Sequence, residues 1–393
     1  MKLWQTSDQL NQLIEKFTVG NDPDLDARLI LYDCKASIAH VTMLQAVGLI
    51  SGEEKNKLIH ELEHIIRLKK QNNFQITRKD EDGHTAIENH LTRVLGDTGK
   101  KVHTGRSRND QVLVAIRMFE KDQLDEIVRQ LKDLITALDQ FISDFGDYPL
   151  PGYTHTRKAM PYTVGEWINA LKFGLTQDRQ MIEETRKLID LNPLGTGAGY
   201  GVPFQLDREI TTKLLGFSET LENSLYAQNS RGKLESRILH DCLMILYDLN
   251  RWSSDLIFFT LPELGYFVLN QAHTTGSSVM PHKKNPDVLE LIRASAGIVR
   301  GYEQQSFTLP LNLISGYHRD LQWTKEPVIR GTDLTILAIQ AAAEVIKGLK
   351  PEPEVLKESM TDELKSVEEI KKLVEQGIPF RDAYRIISKK FHL

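Results

Sequence analysis

From Arg106 to Phe145 the chain contains neither glycine nor proline. Within that stretch Leu124, Ile127, Leu131, Leu134, Leu138, Phe141 and Phe145 recur every three or four residues, and Asp, Glu, Lys, Arg and Gln fill most of the gaps. This spacing puts the apolar side chains on one stripe of a long helix. Gly146 and Pro149 stop it. Four more segments carry the same period: Val164 to Leu191, ended by Asn192-Pro193; Leu234 to Phe259, closed by Pro262; Val288 to Gln305; and Val328 to Leu349, closed by Pro351. No segment alternates convincingly with period two. The pattern therefore predicts an all-α bundle of long helices, with little sheet beyond short hairpins.

Shorter helices are expected before this bundle, joined at Asp22-Pro23-Asp24 and Asn72-Asn73, and a small helical unit after Pro351 and Pro353. The stretches His240 to Leu249 and Leu334 to Ile346 are apolar on more than one face. A lone bundle would leave part of that surface wet, and homo-oligomerisation would cover it.

Composition excludes several classes of function. A net charge of -5 over 393 residues gives no sign of a nucleic-acid surface. No apolar run approaches bilayer length, and the first residues lack the apolar core of a secretory signal, so a cytoplasmic location is expected. Cys34 and Cys242 have no partner at metal-ligand spacing and read as buried free thiols.

Four interruptions hold residues unlike ordinary loop residues. His103-Thr-Gly-Arg-Ser-Arg-Asn-Asp-Gln111 places Arg106 and Arg108 beside a helix N-terminus, a setting that attracts carboxylates. An N-cap with solvated charges accounts for it equally well. Gly152-Tyr-Thr-His155 feeds another helix; a single His there is only mildly suggestive. Asn192-Pro-Leu-Gly-Thr-Gly-Ala-Gly-Tyr-Gly201 allows close backbone approach to a ligand, or is a plain turn; it lacks the strand–helix setting of a nucleotide loop. Thr275-Gly-Ser-Ser-Val-Met-Pro-His-Lys-Lys-Asn-Pro-Asp287 is a polar loop suited to ordering over an anion, with Lys283 and Asn285 on a carboxylate, or else a mobile surface connection. A serine in it serves as a base only if nearby N–H groups and cations lower its pKa.

Together, and in this order, these segments resemble the fumarase/aspartase superfamily. Gly276-Ser-Ser-Val-Met-Pro-His-Lys-Lys-Asn-Pro286 is similar to its signature loop. The match to the argininosuccinate lyase family is closer still. It rests on His103 to Gln111, Asp80-Glu-Asp-Gly-His84, Pro193 to Ala198, Asp207-Arg-Glu209, Asp320-Leu-Gln322, Lys325-Glu-Pro327 and Gly377-Ile-Pro-Phe-Arg381, and so covers nearly the whole chain.

The resemblance implies a three-domain, all-α subunit: an N-terminal helical domain over 1–104, a central bundle with the catalytic loops over 105–349, and a short C-terminal helical domain over 350–393. It implies a homotetramer whose active sites are shared between subunits, and C–N cleavage of argininosuccinate to arginine and fumarate. Ser277 and His155 become the acid–base pair, with Ser277 favoured as base and His155 as, or linked to, the acid. Lys283 belongs to the catalytic set, and Glu290 matches the carboxylate that partners the His. His84, Ser107, Arg108, Asn109, Thr154, Asn285, Tyr317, Gln322 and Lys325 match substrate-binding positions. No metal or organic cofactor is implied, because the substrate's carboxylate is the electron sink.

Several positions depart from the family pattern. Trp4-Gln-Thr-Ser-Asp8 replaces Trp-Gly-Gly-Arg-Phe, and Asp22 stands where a substrate-binding Ser is usual. Thr156-Arg157 replace Leu-Gln, Asn229-Ser-Arg-Gly232 replaces Ser-Glu-Arg-Asp, His282 replaces Gln, and Trp323-Thr324 replace Glu-Asp. Family members also continue past the position of Leu393. The changes spare the fumarate-forming half and leave the leaving amine as the open choice, so a related N-succinyl substrate is the alternative. A non-catalytic structural homologue is the other, disfavoured because Ser277, His155 and Lys283 are all present.

Overall fold

The computed structural model describes residues 11–77 and 80–391. The Trp4 to Asp8 departure lies outside them. In chain order the elements begin with α1 (Gln12–Val19), α2 (Asp22–Asp26), α3 (Ile30–Ala46), α4 (Gly52–Lys70), α5 (Gly83–Leu95) and α6 (Asp97–Lys100). There follow α7 (Arg108–Phe145), β1 (Pro149–Thr154), β2 (Arg157–Thr163), α8 (Val164–Leu188), β3 (Leu191–Asn192), α9 (Arg208–Leu214), β4 (Glu219–Thr220), α10 (Ser224–Asn229) and α11 (Lys233–Phe259). The last are β5 (Phe267–Val268), β6 (Thr275–Gly276), β7 (Lys284–Asn285), α12 (Asp287–Thr308), α13 (Lys325–Gly348), β8 (Lys350–Pro351), α14 (Pro353–Glu358), α15 (Ser366–Glu375) and α16 (Phe380–Lys390). The fold is predominantly helical, and its strands form only two-stranded pairs. All five expected long helices are present, their ends within a few residues of the expected ones.

The chain packs as two compact units. The first holds the residues up to Ile127, Ile182–Cys242 and Val299–Asp333; the second holds Val128–Met181, Leu243–Ile298 and Leu334–Leu393.

In the first unit α3 is the hub. Its Ile30, Cys34, Val41, Met43 and Leu44 pack with Leu58, Leu62 and Ile65 of α4 and Ile87 and Leu91 of α5. A Ser51–Glu54 capping box starts α4. The Asp82 side chain starts α5 by accepting from the Thr85 N–H at 2.9 Å. Asp22-Pro23-Asp24 is not a joint between helices, as expected from its polarity, but the first turn of α2. Proline has no N–H to lose there, which is why the turn tolerates it.

In the second unit the stripe of α7 continues buried through Leu131, Leu134, Leu138 and Phe141. An aromatic cluster anchors the β1–β2 hairpin. Tyr153 meets Phe258 edge-on with ring centroids 5.1 Å apart, and its hydroxyl lies 2.7 Å from that of Tyr266. Trp167 packs on Phe259 and Phe267 and donates its indole N–H to Asp255 at 3.1 Å. α15 and α16 form a small cluster around Ile370, Ala383 and Ile387. Large apolar side chains of the long helices stay exposed in the single chain: Phe173, Tyr247, Leu291, Ile298 and Leu337.

Candidate active site

A cavity of about 450 Å³ opens in the first unit. The segment entering α7 supplies Ser107, Arg108 and Asn109, α5 supplies His84, and the approach to α13 supplies Tyr317, Arg319, Gln322 and Lys325. Seven residues singled out by resemblance (His84, Ser107, Arg108, Asn109, Tyr317, Gln322 and Lys325) therefore line one space. Arg106 and Arg231 join the wall, as do Asp22 and Asp82. Cationic side chains outnumber carboxylates, so the interior suits a multiply anionic ligand.

Buried charges in this wall are held by specific partners. The Arg108 Nε donates to His84 Nε2 at 2.8 Å, and its guanidinium pairs with Asp82. Burial pulls the His84 pKa below its ordinary value, although Asp33 and Asp26 oppose it. A neutral His84 with its proton on Nδ1 satisfies that contact. Lys325 is buried, with Nζ 2.6 Å from Asp26 and 2.8 Å from Asp22. Burial lowers its pKa, but the two carboxylates more than offset this and leave it raised. Burial also raises Asp22, whereas Lys325, His84 and the Gly83 N–H bring Asp26 below the ordinary carboxylate value despite its burial.

The glycine-rich run has a different role from the ligand contact its composition allowed. The N–H groups of Gly195 and Gly197 both donate to Asp110 Oδ2 at 2.9 Å, and the Ser107 N–H donates to Oδ1 at 3.0 Å. The run wraps the chain's own carboxylate and thereby fixes the turn that presents Ser107, Arg108 and Asn109. Gly197 has φ 62°, and a Cβ there would lie 2.6 Å from the Gly201 carbonyl oxygen. Burial pushes Asp110 up to about 6, against the opposing pull of these N–H groups and Arg106.

The remaining expected residues lie in the second unit. Ser277 follows β6, and the antiparallel pairing of Thr275 with Asn285 and Gly276 with Lys284 pins both ends of the signature segment. It is a short laddered excursion rather than a free connection. The Ser277 Oγ accepts from the Met280 N–H at 3.0 Å and the Val279 N–H at 3.3 Å. Two such donors favour the negatively charged form of an oxygen. Lys283 is exposed and Asn285 partly so; Glu290 is exposed in the first turn of α12. Thr154 and His155 do not sit in a loop feeding a helix. Thr154 ends β1, and His155 with Thr156 forms the two-residue turn into β2, at φ 54° and 58°. Left-handed backbone at both positions is the geometry that tight hairpins select. His155 and Glu290 share no hydrogen bond or ion pair in this chain.

Comparison with known proteins decides the family. The lyase family matches residues 5–301. The argininosuccinate lyase of Thermotoga neapolitana is 48% identical over 390 residues, covering 99% of this chain and 98% of that protein. The chain belongs to the argininosuccinate lyase family. Among solved structures, EDDS lyase in complex with formate is 25% identical, with a TM-score of 0.82 over 97% of this chain and 76% of that one. The class II fumarase of Schistosoma mansoni shares the fold at 16% identity, with a TM-score of 0.82 over 96% of this chain and 88% of that one.

Against this family four of the departures have local physical reasons. Asp22 is built into the Lys325 ion-pair cluster. Asn229 braces the loop before Tyr317, accepting from the Gly316 N–H at 3.0 Å and donating to Ser315 Oγ at 3.1 Å. Gly232, at φ 80°, passes so near α12 that a Cβ would lie 2.7 Å from Pro310 Cγ and 2.8 Å from the Ser306 carbonyl oxygen. Trp323 pairs edge-on with Phe17 at 6.2 Å. Sequence reasoning missed Arg231 and Arg319 as cavity residues, because isolated loop arginines carry no spacing signal. Among the described residues there is no metal-binding cluster and no helix long and apolar enough to cross a membrane.

Proposed function

We propose that this chain is a carbon–nitrogen lyase that cleaves argininosuccinate to arginine and fumarate by β-elimination. The observation that carries this reading is the cationic cavity uniting Ser107, Arg108, Asn109, Tyr317, Gln322 and Lys325. Ser277, as its alkoxide, takes the proton from the succinyl carbon beside a carboxylate. The electron pair spreads into that carboxylate as a dianionic aci-form. Preorganised cations and N–H donors offset that charge build-up, which is the costly step; Lys283, Asn285 and the Asn109 end of α7 are of the right type. The C–N bond then breaks, its electron pair leaves with the guanidino nitrogen, and an acid that is, or is linked to, His155 protonates that nitrogen. Val279 and Met280 favour the role of Ser277 by donating to its Oγ.

In this reading the protein is a cytoplasmic homotetramer in which the cavity, the His155 hairpin and the Ser277 loop that meet at one site come from different subunits. Glu290 partners His155 there. The exposed apolar side chains Phe173, Tyr247, Leu291, Ile298 and Leu337 support such burial between copies. The proposed division of the subunit remains 1–104, 105–349 and 350–393. A related N-succinyl amine is the second reading, favoured by the carboxylate of Asp22 in the cavity wall. Fumarate absorbance during incubation with argininosuccinate, and separately with adenylosuccinate, tests the choice. Release of fumarate from argininosuccinate is the expected result, and its absence refutes the proposal.

A further inference from the structure

Arg231 is the largest of the fully buried side chains among the described residues, yet it lines the cavity. One Nη donates to the Leu321 carbonyl at 2.8 Å, and the guanidinium lies 5.9 Å from the centre of the Tyr317 ring. Its Nε is buried without any hydrogen-bond partner. A buried N–H left unmatched is costly, and in a cavity wall it calls for a functional explanation.

The other cations of the wall are differently placed. Lys325 is held by Asp22 and Asp26, and Arg108 by Asp82. Arg106 donates to Ser37 and lies in the field of Asp33, Asp110 and Glu88. Arg319 is exposed and donates to the Thr18 carbonyl. Arg106 also leaves its Nε unmatched, but three carboxylates act on it, whereas Arg231 has no carboxylate at ion-pair distance among the described residues. Glu120 feels its charge at longer range.

We infer that Arg231 receives the α-carboxylate of the amino-acid arm of the substrate, and so helps select an amino acid as the leaving amine. The inference rests on the proposed cleavage of argininosuccinate. In that reaction Lys283 and Asn285 serve the fumarate-forming half. Arg231 sits instead against Tyr317 and Leu321, the latter next in sequence to Gln322 of the same cavity wall. A guanidinium suits a carboxylate there through paired N–H donors, which a lysine does not reproduce.

The test compares inhibition of argininosuccinate cleavage by arginine with inhibition by agmatine, which is arginine without its α-carboxylate. In R231Q the arginine inhibition constant should rise roughly 10- to 100-fold. In R231K it should rise less, and the agmatine constant should change less than about threefold in both. A purely structural role would weaken both inhibitors together; that result, or an unchanged arginine constant, overturns the assignment. If R231Q does not fold, the same pair of inhibitors is measured on R231K, where selective weakening of arginine supports the assignment and parallel weakening overturns it. Wild-type protein that releases no fumarate refutes the parent reading, whereas parallel weakening of arginine and agmatine refutes only the role of Arg231.

Discussion

Lys325 Nζ lies 2.6 Å from the carboxylate of Asp26, and both groups are buried. The pair ties α2 to the first turn of α13 and fixes one wall of the cavity. Asp26 titrates below its ordinary 3.8, so its contribution to stability is complete above that value and is lost as pH falls through its folded pKa. Lys325 titrates above its ordinary 10.5, so its share is complete below that value and is lost as pH rises through its folded pKa. Asp26→Asn should therefore destabilise the protein across neutral pH by roughly 3 kcal/mol, the low end for a broken buried pair because Asp22 remains. Denaturant unfolding checks this, and the difference from wild type should shrink in acid well below pH 4, where wild-type Asp26 is also protonated.

Gly232 gives a prediction in the opposite sense to family resemblance. Restoring the usual acidic residue by Gly232→Asp places a Cβ 2.7 Å from Pro310 Cγ and 2.8 Å from the Ser306 carbonyl oxygen, in a left-handed backbone that glycine adopts more readily. The expected loss is about 2–4 kcal/mol, read as a fall in Tm. A variant as stable as wild type would show that the Ser306–Pro310 turn gives way easily.

How much of this was legible in the sequence depends on the kind of signal. The long helices were readable because burial imposes a period, as Leu124 to Phe141 illustrate, and the capping and breaking residues bound them. The cavity residues on α5, α7 and the approach to α13 were legible only through resemblance, since nothing in the spacing of His84, Arg108 and Lys325 says that they converge. Two local readings failed for physical reasons. The glycines at 195 and 197 looked free for a ligand, but the partner of their N–H groups, Asp110, is far away in sequence. The His155 turn was hidden because β1 carries Pro149, Pro151 and Gly152, which argue against a strand, and β2 alternates only between exposed and half-buried positions. Arg231 was invisible for a third reason: its significance lies in an unmatched N–H, which depends on what surrounds it in three dimensions.

Asp110 should leave a pH signature. Burial raises it to about 6 from an ordinary 3.8, so the folded state holds its proton more tightly than the unfolded chain. For a carboxyl shifted upwards, stability falls as pH rises between those two values and is level above and below them. Asp110→Asn removes that slope. The stability of wild type relative to this variant should therefore decline by up to about 3 kcal/mol between pH 4 and pH 6 and then stay level. A difference independent of pH across that interval would mean that the surrounding N–H groups compensate burial fully.

Ser277→Ala tests the base directly. Only the Oγ is removed, and its partners are the backbone N–H groups of residues 279 and 280, so the segment keeps its ladder to β7. Fumarate release should slow roughly 100- to 10,000-fold in kcat with little change in KM. Turnover near the wild-type rate would remove Ser277 from the chemistry.

Thr156 offers a test in which stability and activity should part. It holds φ 58° in the turn beside His155, and its hydroxyl donates to the His155 carbonyl at 2.6 Å. A β-branched residue in left-handed backbone is strained, at a cost of about 1–2 kcal/mol. The hairpin persists because Tyr153, one residue before Thr154, is locked against Phe258 and Tyr266. Thr156→Gly removes the strain and the hydroxyl together. It should gain roughly 1 kcal/mol in stability, or less once the greater freedom of glycine in the unfolded chain is counted. It should also let the turn sample more conformations and lower kcat several-fold while Tm holds or rises. Thr156→Asn, which accepts the same backbone more readily than threonine and keeps a polar side chain, should retain more of the activity. If both variants lose stability instead, the turn is not strained in solution, and the orientation of His155 is set elsewhere.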